Sequence, residues 1–156
     1  MAYDLDDVDR GILHALQANA REVTAAEMAE SVGVAASTVR NRIERLESED
    51  VIRGYHLEVD YERAGFPLHA VLVCEAPQSE DPAFLESVLD LPRTVRVRAL
   101  LSGETNLHVE VVAADATHVD AVVEALADMG VDVVETNIVT RSAVRPFDGF
   151  DPDDQE

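Results

Sequence analysis

The chain has no lysine and no tryptophan, a single cysteine and only seven phenylalanines and tyrosines. Each scarcity excludes something. One cysteine, Cys74, rules out an intrachain disulfide and any cysteine-cluster metal site. Its setting in the apolar run "HAVLVCEA" marks it as a core residue rather than a reactive thiol. No apolar run approaches the ~20 residues that a bilayer-spanning helix needs. The opening "MAYDLDDVDR" is acidic where a signal peptide is basic and then apolar. A soluble, cytoplasmic protein with no membrane partner is the expectation. No two of the five histidines stand at a metal-ligand spacing such as H-x-x-x-H, so neither a metal nor another cofactor is expected. The missing lysine is part of a wider charge pattern: 12 arginines face 32 acidic residues, for a formal net charge of -20. That pattern suits a halophilic protein from a salt-rich cytoplasm, where carboxylates hold water and repel neighbours. An acidic partner-binding face is the other reading. At 1 M salt the screening length is about 3 Å, so the net charge does not exclude nucleic acid as a partner.

What is present is unevenly placed. Residues 1–33 carry a net charge of -5 and residues 55–156 one of -15, whereas residues 37–54 are neutral and hold four arginines. Before and within that neutral stretch the spacing predicts three helices. "DDVDRGILHALQANA" puts Val8, Ile12, Leu13 and Leu16 on one stripe, with Asp6 as cap and Asp9 three residues on. "TAAEMAESVGV" opens with Thr24 and Glu27 at capping-box spacing, buries Met28, Ala29 and Val32, and stops at Gly33. "STVRNRIERLES" places Val39, Ile43 and Leu46 at i, i+4 and i+7. Short helix, glycine-containing turn and short helix make a helix-turn-helix. "VIRGYHLEV" reads as a strand, part of a wing or of a linker. From residue 68 the order becomes βαββαβ, a ferredoxin-like split unit, so the fold class is α+β. The tail "RPFDGFDPDDQE" is acidic with two prolines and reads as disordered. The domains are therefore 1–54 helix-turn-helix, 55–67 linker strand, 68–145 βαββαβ, and 146–156 tail.

On a helical wheel, Ser37, Thr38, Asn41 and Arg45 lie opposite the inward stripe of the third helix, with Arg40 and Arg42 on its flanks. Arg53 follows just beyond the helix. A B-DNA major groove admits one α-helix. Arginine pairs bidentately with guanine and asparagine with adenine, while flanking arginines suit phosphates. Ser37, Thr38, Arg40, Asn41, Arg42, Arg45 and Arg53 are the candidate DNA-binding residues. The plainer alternative is a solvated helix face whose arginines pair with nearby glutamates at i, i+3 or i+4.

The stretches "LDDVDRGILHALQANAR" and "TAAEMAESVGVAASTVRNRIERLESEDVIRGY" resemble the N-terminal half of the Lrp/AsnC (feast/famine) family of transcriptional regulators. The βαββαβ half resembles that family's effector-sensing and assembly domain. The resemblance covers residues 5 to about 145. It implies a homodimer or higher assembly without catalysis, binding palindromic double-stranded operators and sensing a small effector such as an amino acid. It also implies an effector loop at "SGETNLHVEV", with Gly103, Glu104 and Asn106 at the positions that matter. Asn106 stands where the family has an acid facing the effector's amino group. Ala35 and Ala36 replace a capping serine and a proline, and Asp50 replaces a glycine. Siroheme decarboxylases of tetrapyrrole synthesis share both domains and supply an enzymatic alternative. A plain hairpin turn is the alternative for the loop.

Overall fold

Helix α1, Asp7–Asn19, starts where the sequence predicts, because Asp6 and Asp9 close a reciprocal capping box. The Asp9 N–H donates to Asp6 Oδ1 at 2.9 Å. Helix α2, Ala25–Val32, has the same device from Thr24 and Glu27, and Gly33 ends it in the left-handed conformation at φ 72°. Helix α3, Ala36–Ser48, completes the helix-turn-helix. Ile12, Leu13, Met28, Ala29, Val39 and Leu46 form the shared core. Gly11 lies against Val32, and a Cβ there would collide with the valine side chain. The glycine thus sets how closely α1 and α2 approach. The computed structural model describes residues 3–101 and 103–151.

The chain divides into two units, one of Met1–Leu57 with Ala143–Glu156, the other of Glu58–Ser142. The second unit runs β1 Leu68–Glu75, α4 Pro82–Leu89, β2 Thr94–Ala99, β3 Leu107–Ala113, α5 Ala116–Asp128, β4 Asp132–Ile138. Its sheet order is β2-β3-β1-β4, with antiparallel neighbours throughout. Ala70, Leu72 and Cys74 of β1 and Leu107, Val109 and Val111 of β3 share a buried core with Phe84 and Val88 of α4 and Val119, Val122 and Leu126 of α5. Asp81 caps α4 ahead of Pro82. On the opposite sheet face, Glu110 sits 3.4 Å from Arg96 and 3.7 Å from Arg98 of the neighbouring strand, a cross-strand charge pairing.

Three expectations need correction. Residues 51–59 form no strand; they run as irregular or extended backbone into a turn in which Phe66 N–H donates to Tyr61 O at 2.8 Å. A strand needs a neighbour, and no described segment of this chain pairs with this one, so it forms neither a wing nor a linker strand within the chain. The residues "TVRVRAL" predict Val95, Val97 and Ala99 on one face and Arg96 and Arg98 on the other, but the alternation in β2 is broken at Val95: Thr94 opposes Val111 and Arg96 opposes Glu110, so Val95 is the extra residue of a bulge. Finally, part of the tail is ordered. Asp148–Phe150 form a 3₁₀ turn, and Phe150 packs against the helix-turn-helix core. Residues 152–156, the rest of the expected disordered tail, lie outside the described residues.

Candidate nucleic-acid interface

The exposed edge of α3 is built by subtraction. Val39 and Leu46 are fully buried and Ile43 packs partly beneath them, which leaves Ser37, Arg40, Asn41, Glu44 and Arg45 outward and Thr38 half-buried at the rim. Arg40 and Arg53 are exposed and make no ion pair among the described residues. Ala35 supplies no side-chain hydrogen bond to the start of α3. Thr38 N–H turns back to Ala35 O at 2.9 Å, and the Ala36 and Ser37 N–H groups ahead of it have no side-chain cap; a helix N-terminus favours an anion.

Two arginines of the candidate set have partners within the chain. Arg42 Nη1 donates to Asp6 Oδ2 at 2.7 Å and to Asp9 Oδ1 at 3.2 Å. Its hydrogen bond to Asp6, with the two carboxylate charges, holds the guanidinium pKa above its ordinary value. The Asp6 carboxyl is lowered, first by the Asp9 backbone N–H and then by Arg42. Asp9 is 1% exposed, so Arg42 is the countercharge of a buried acid. Arg42 thus faces α1, although the wheel places it on a DNA-facing flank. The guanidinium of Arg45 lies over the Tyr3 ring, 5.1 Å from its centroid. Sequence reasoning missed the parts played by Tyr3, Asp6 and Asp9. A clue was available: Asp9 precedes Ile12, Leu13 and Leu16 at i+3, i+4 and i+7, an acid on the apolar stripe.

In the second unit, the predicted effector loop joins β2 to β3. Leu100 N–H donates to Asn106 O at 2.9 Å, and Gly103 takes φ 98°, where glycine is relaxed. Glu104 is exposed. Asn106 is not free. Its Oδ1 accepts from Ala76 N–H at 2.8 Å and its Nδ2 donates to Ala76 O at 2.9 Å. Both halves of the carboxamide are used to fasten the loop to the end of β1. A carboxylate could not make the second bond. The structure brings Gly103 and Glu104 to the loop's surface and turns Asn106 to its support. Ser102 lies outside the described residues.

A helix-turn-helix with an exposed arginine- and asparagine-bearing helix, followed by a βαββαβ unit, defines the architecture of a DNA-binding regulator. The comparisons with known proteins agree. Residues 5–47 match the AsnC-type helix-turn-helix domain. The leucine-responsive regulatory protein of Rhizobium meliloti is 34% identical over 143 residues, 88% of this chain and 90% of that protein. The transcriptional regulator AldR of Mycolicibacterium smegmatis is 35% identical over 106 residues, 66% of this chain and 61% of that protein, so the match spans about three-fifths of AldR. The crystal structure of the leucine response regulatory protein LrpA of Mycobacterium tuberculosis superposes with a TM-score of 0.76 at 25% identity, over 92% of this chain and 97% of LrpA. The chain belongs to the Lrp/AsnC family of transcriptional regulators.

Proposed function

We propose that the chain is a sequence-specific regulator of transcription that binds palindromic double-stranded DNA as a homodimer or higher assembly. Arg45 and Asn41 read base edges in the major groove. Ser37, Thr38, Arg40 and Arg53 contact the phosphates beside it, helped by the uncapped N–H groups of Ala36 and Ser37. Arg42 keeps α3 in place from the α1 side. The observation that carries this reading is the exposed polar edge of α3, with Arg40 and Arg53 in no ion pair among the described residues of a chain of net charge -20. Two-fold symmetry then sets half-sites about one helical turn, or multiples of it, apart.

The workplace is a cytoplasm of high salt, in keeping with an all-arginine basic complement beside 32 acids. Among the described residues no helix is long and apolar enough to cross a membrane. The names of the Rhizobium and Mycobacterium relatives speak of leucine responsiveness. An amino acid or similar small effector is accordingly proposed for the loop bearing Gly103 and Glu104, with Asn106 as its brace. The relatives lend nothing to the siroheme decarboxylase alternative; they are transcriptional regulators.

The test is selection of bound duplexes from a random pool in molar potassium chloride, with and without free amino acids. A palindromic consensus is expected. Arg45→Ala should change the preferred base at one position of each half-site, a loss of about 1–3 kcal/mol of discrimination. Arg40→Ala should weaken all sequences alike. If both variants bind every duplex as the parent does, α3 does not enter the groove.

A further inference from the structure

Three side chains from the first nine residues hold two arginines of α3. Tyr3 lies under the Arg45 guanidinium, 5.1 Å from ring centroid to Cζ. Asp6 and Asp9 grip Arg42 at 2.7 and 3.2 Å. Tyr3 and Leu5 also pack on the helix-turn-helix core, so the arm is anchored rather than draped. The three arginine contacts all cross from the N-terminal segment to α3, some 33 to 42 positions later in the chain.

We infer that the N-terminal arm, Tyr3 to Asp9, is the positioning element that gives α3 its base preference. The inference rests on the regulator reading above. Its two halves do different work. The Asp6–Arg42–Asp9 cluster fixes the rotation of α3 about its own axis. Asp9 is buried and cannot leave its site, and Arg42 is its countercharge, so the helix face bearing Arg42 is tied to α1. The Tyr3 ring limits the rotamers of Arg45, so that the guanidinium is presented in one direction before DNA arrives. Preorganising a long side chain in this way reduces the ordering entropy that a base contact must offset.

Electrostatics and positioning make opposite predictions for the two carboxylates. If Asp6 and Asp9 mattered only as charges near DNA, replacing them with amides would remove repulsion and tighten binding to every duplex. As positioning residues, their loss must relax base preference. The experiment titrates the full chain against its selected operator and a scrambled duplex over a range of potassium chloride concentrations. The variants are Arg42→Ala, Asp6→Asn with Asp9→Asn, and Tyr3→Leu, which keeps apolar contact but removes the ring. Each is expected to lower the operator-over-scrambled ratio roughly tenfold, about the discrimination of one bidentate arginine–base pair. Adding Arg42→Ala to the amide pair should change little more, because both break one cluster. The salt slope of log affinity should stay as in the parent.

The opposite result is equally clear. Tighter binding of both duplexes by the amide variant, with a slope shallower by about one for Arg42→Ala, makes Arg42 a phosphate contact and overturns the inference. Circular dichroism and thermal unfolding report whether each variant folds. Should the double amide variant fail to fold, Asp6→Asn alone and Tyr3→Leu carry the same test at the surface, where Asp9 still neutralises Arg42. A parent that prefers no duplex over another would count against the regulator reading itself, a separate outcome.

Discussion

Cys74 shows how burial alone decides a residue's chemistry. Its side chain is fully inaccessible on β1, among Leu72, Leu107 and Val109. Burial, with the Asp132 charge adding to it, pushes the thiol up to about 11. The thiolate, the nucleophilic form, is then scarce at neutral pH. A thiol reagent should find nothing in the folded protein and one equivalent after urea unfolding; labelling at native rates would place Cys74 outside the core. The linkage has a definite sign. A raised folded pKa means that folding favours the protonated thiol, so this contribution is complete below the unfolded value near 9 and is lost as pH rises from about 9 to about 11. The midpoint of urea unfolding, followed over that window, should fall. Cys74 was legible as core from its apolar run. Asn106 was not: nothing in one sequence announces that Ala76, thirty positions earlier, takes both ends of its amide.

Among the elements, α3 is the least well terminated of the three helices in its unit. Its N-cap position is Ala35, with no side-chain bond, where α1 and α2 have complete capping boxes. Past its other end, Asp50 sits at φ 55°, the left-handed region where an L-residue is strained and glycine is not. Both are places where the resemblance implies a better terminator, serine and glycine. Ala35→Ser and Asp50→Gly should each stabilise the unit by about 1 kcal/mol, read as a higher urea midpoint at unchanged slope. If neither moves the midpoint, the ends of α3 do not limit its stability. The stripes and caps of α1 and α2 were legible because they are local: partners lie three or four residues apart. Residues 51–59 look like a strand locally, but a strand is a relation between two segments, and one sequence shows only one side of it. The bulge at Val95 escaped notice for the same reason, since register belongs to the pair β2 and β3. The grip of Asp9 on Arg42 is likewise non-local, and only the acid's place on an apolar stripe hinted at it.

Over the whole molecule, the chain crosses between its two units twice, near residue 57 and again near residue 142. The second crossing is what composition concealed. Averaged over the tail, acids and prolines suggest disorder, yet two phenylalanines three residues apart can turn one face inward. Phe147 and Phe150 meet edge to face at 5.0 Å. Phe147 N–H donates to Gln17 Oε1 at 3.2 Å, and Phe150 lines a crevice whose apolar side is Leu13, Leu16, Val51 and Ile52. The tail segment is therefore a structural part of the helix-turn-helix unit. Unit 2, with its own buried core, shares none of these contacts. Phe150→Ala should destabilise unit 1 by about 1–2 kcal/mol, the scale for a partly buried aromatic side chain, and leave unit 2 unchanged. Amide hydrogen exchange separates the two. Protection should fall along α1 and α3 while β1 and β3 keep theirs; equal losses in both units would mean that they unfold as one, and no loss in α1 would mean that the aromatic pair merely rests on the surface.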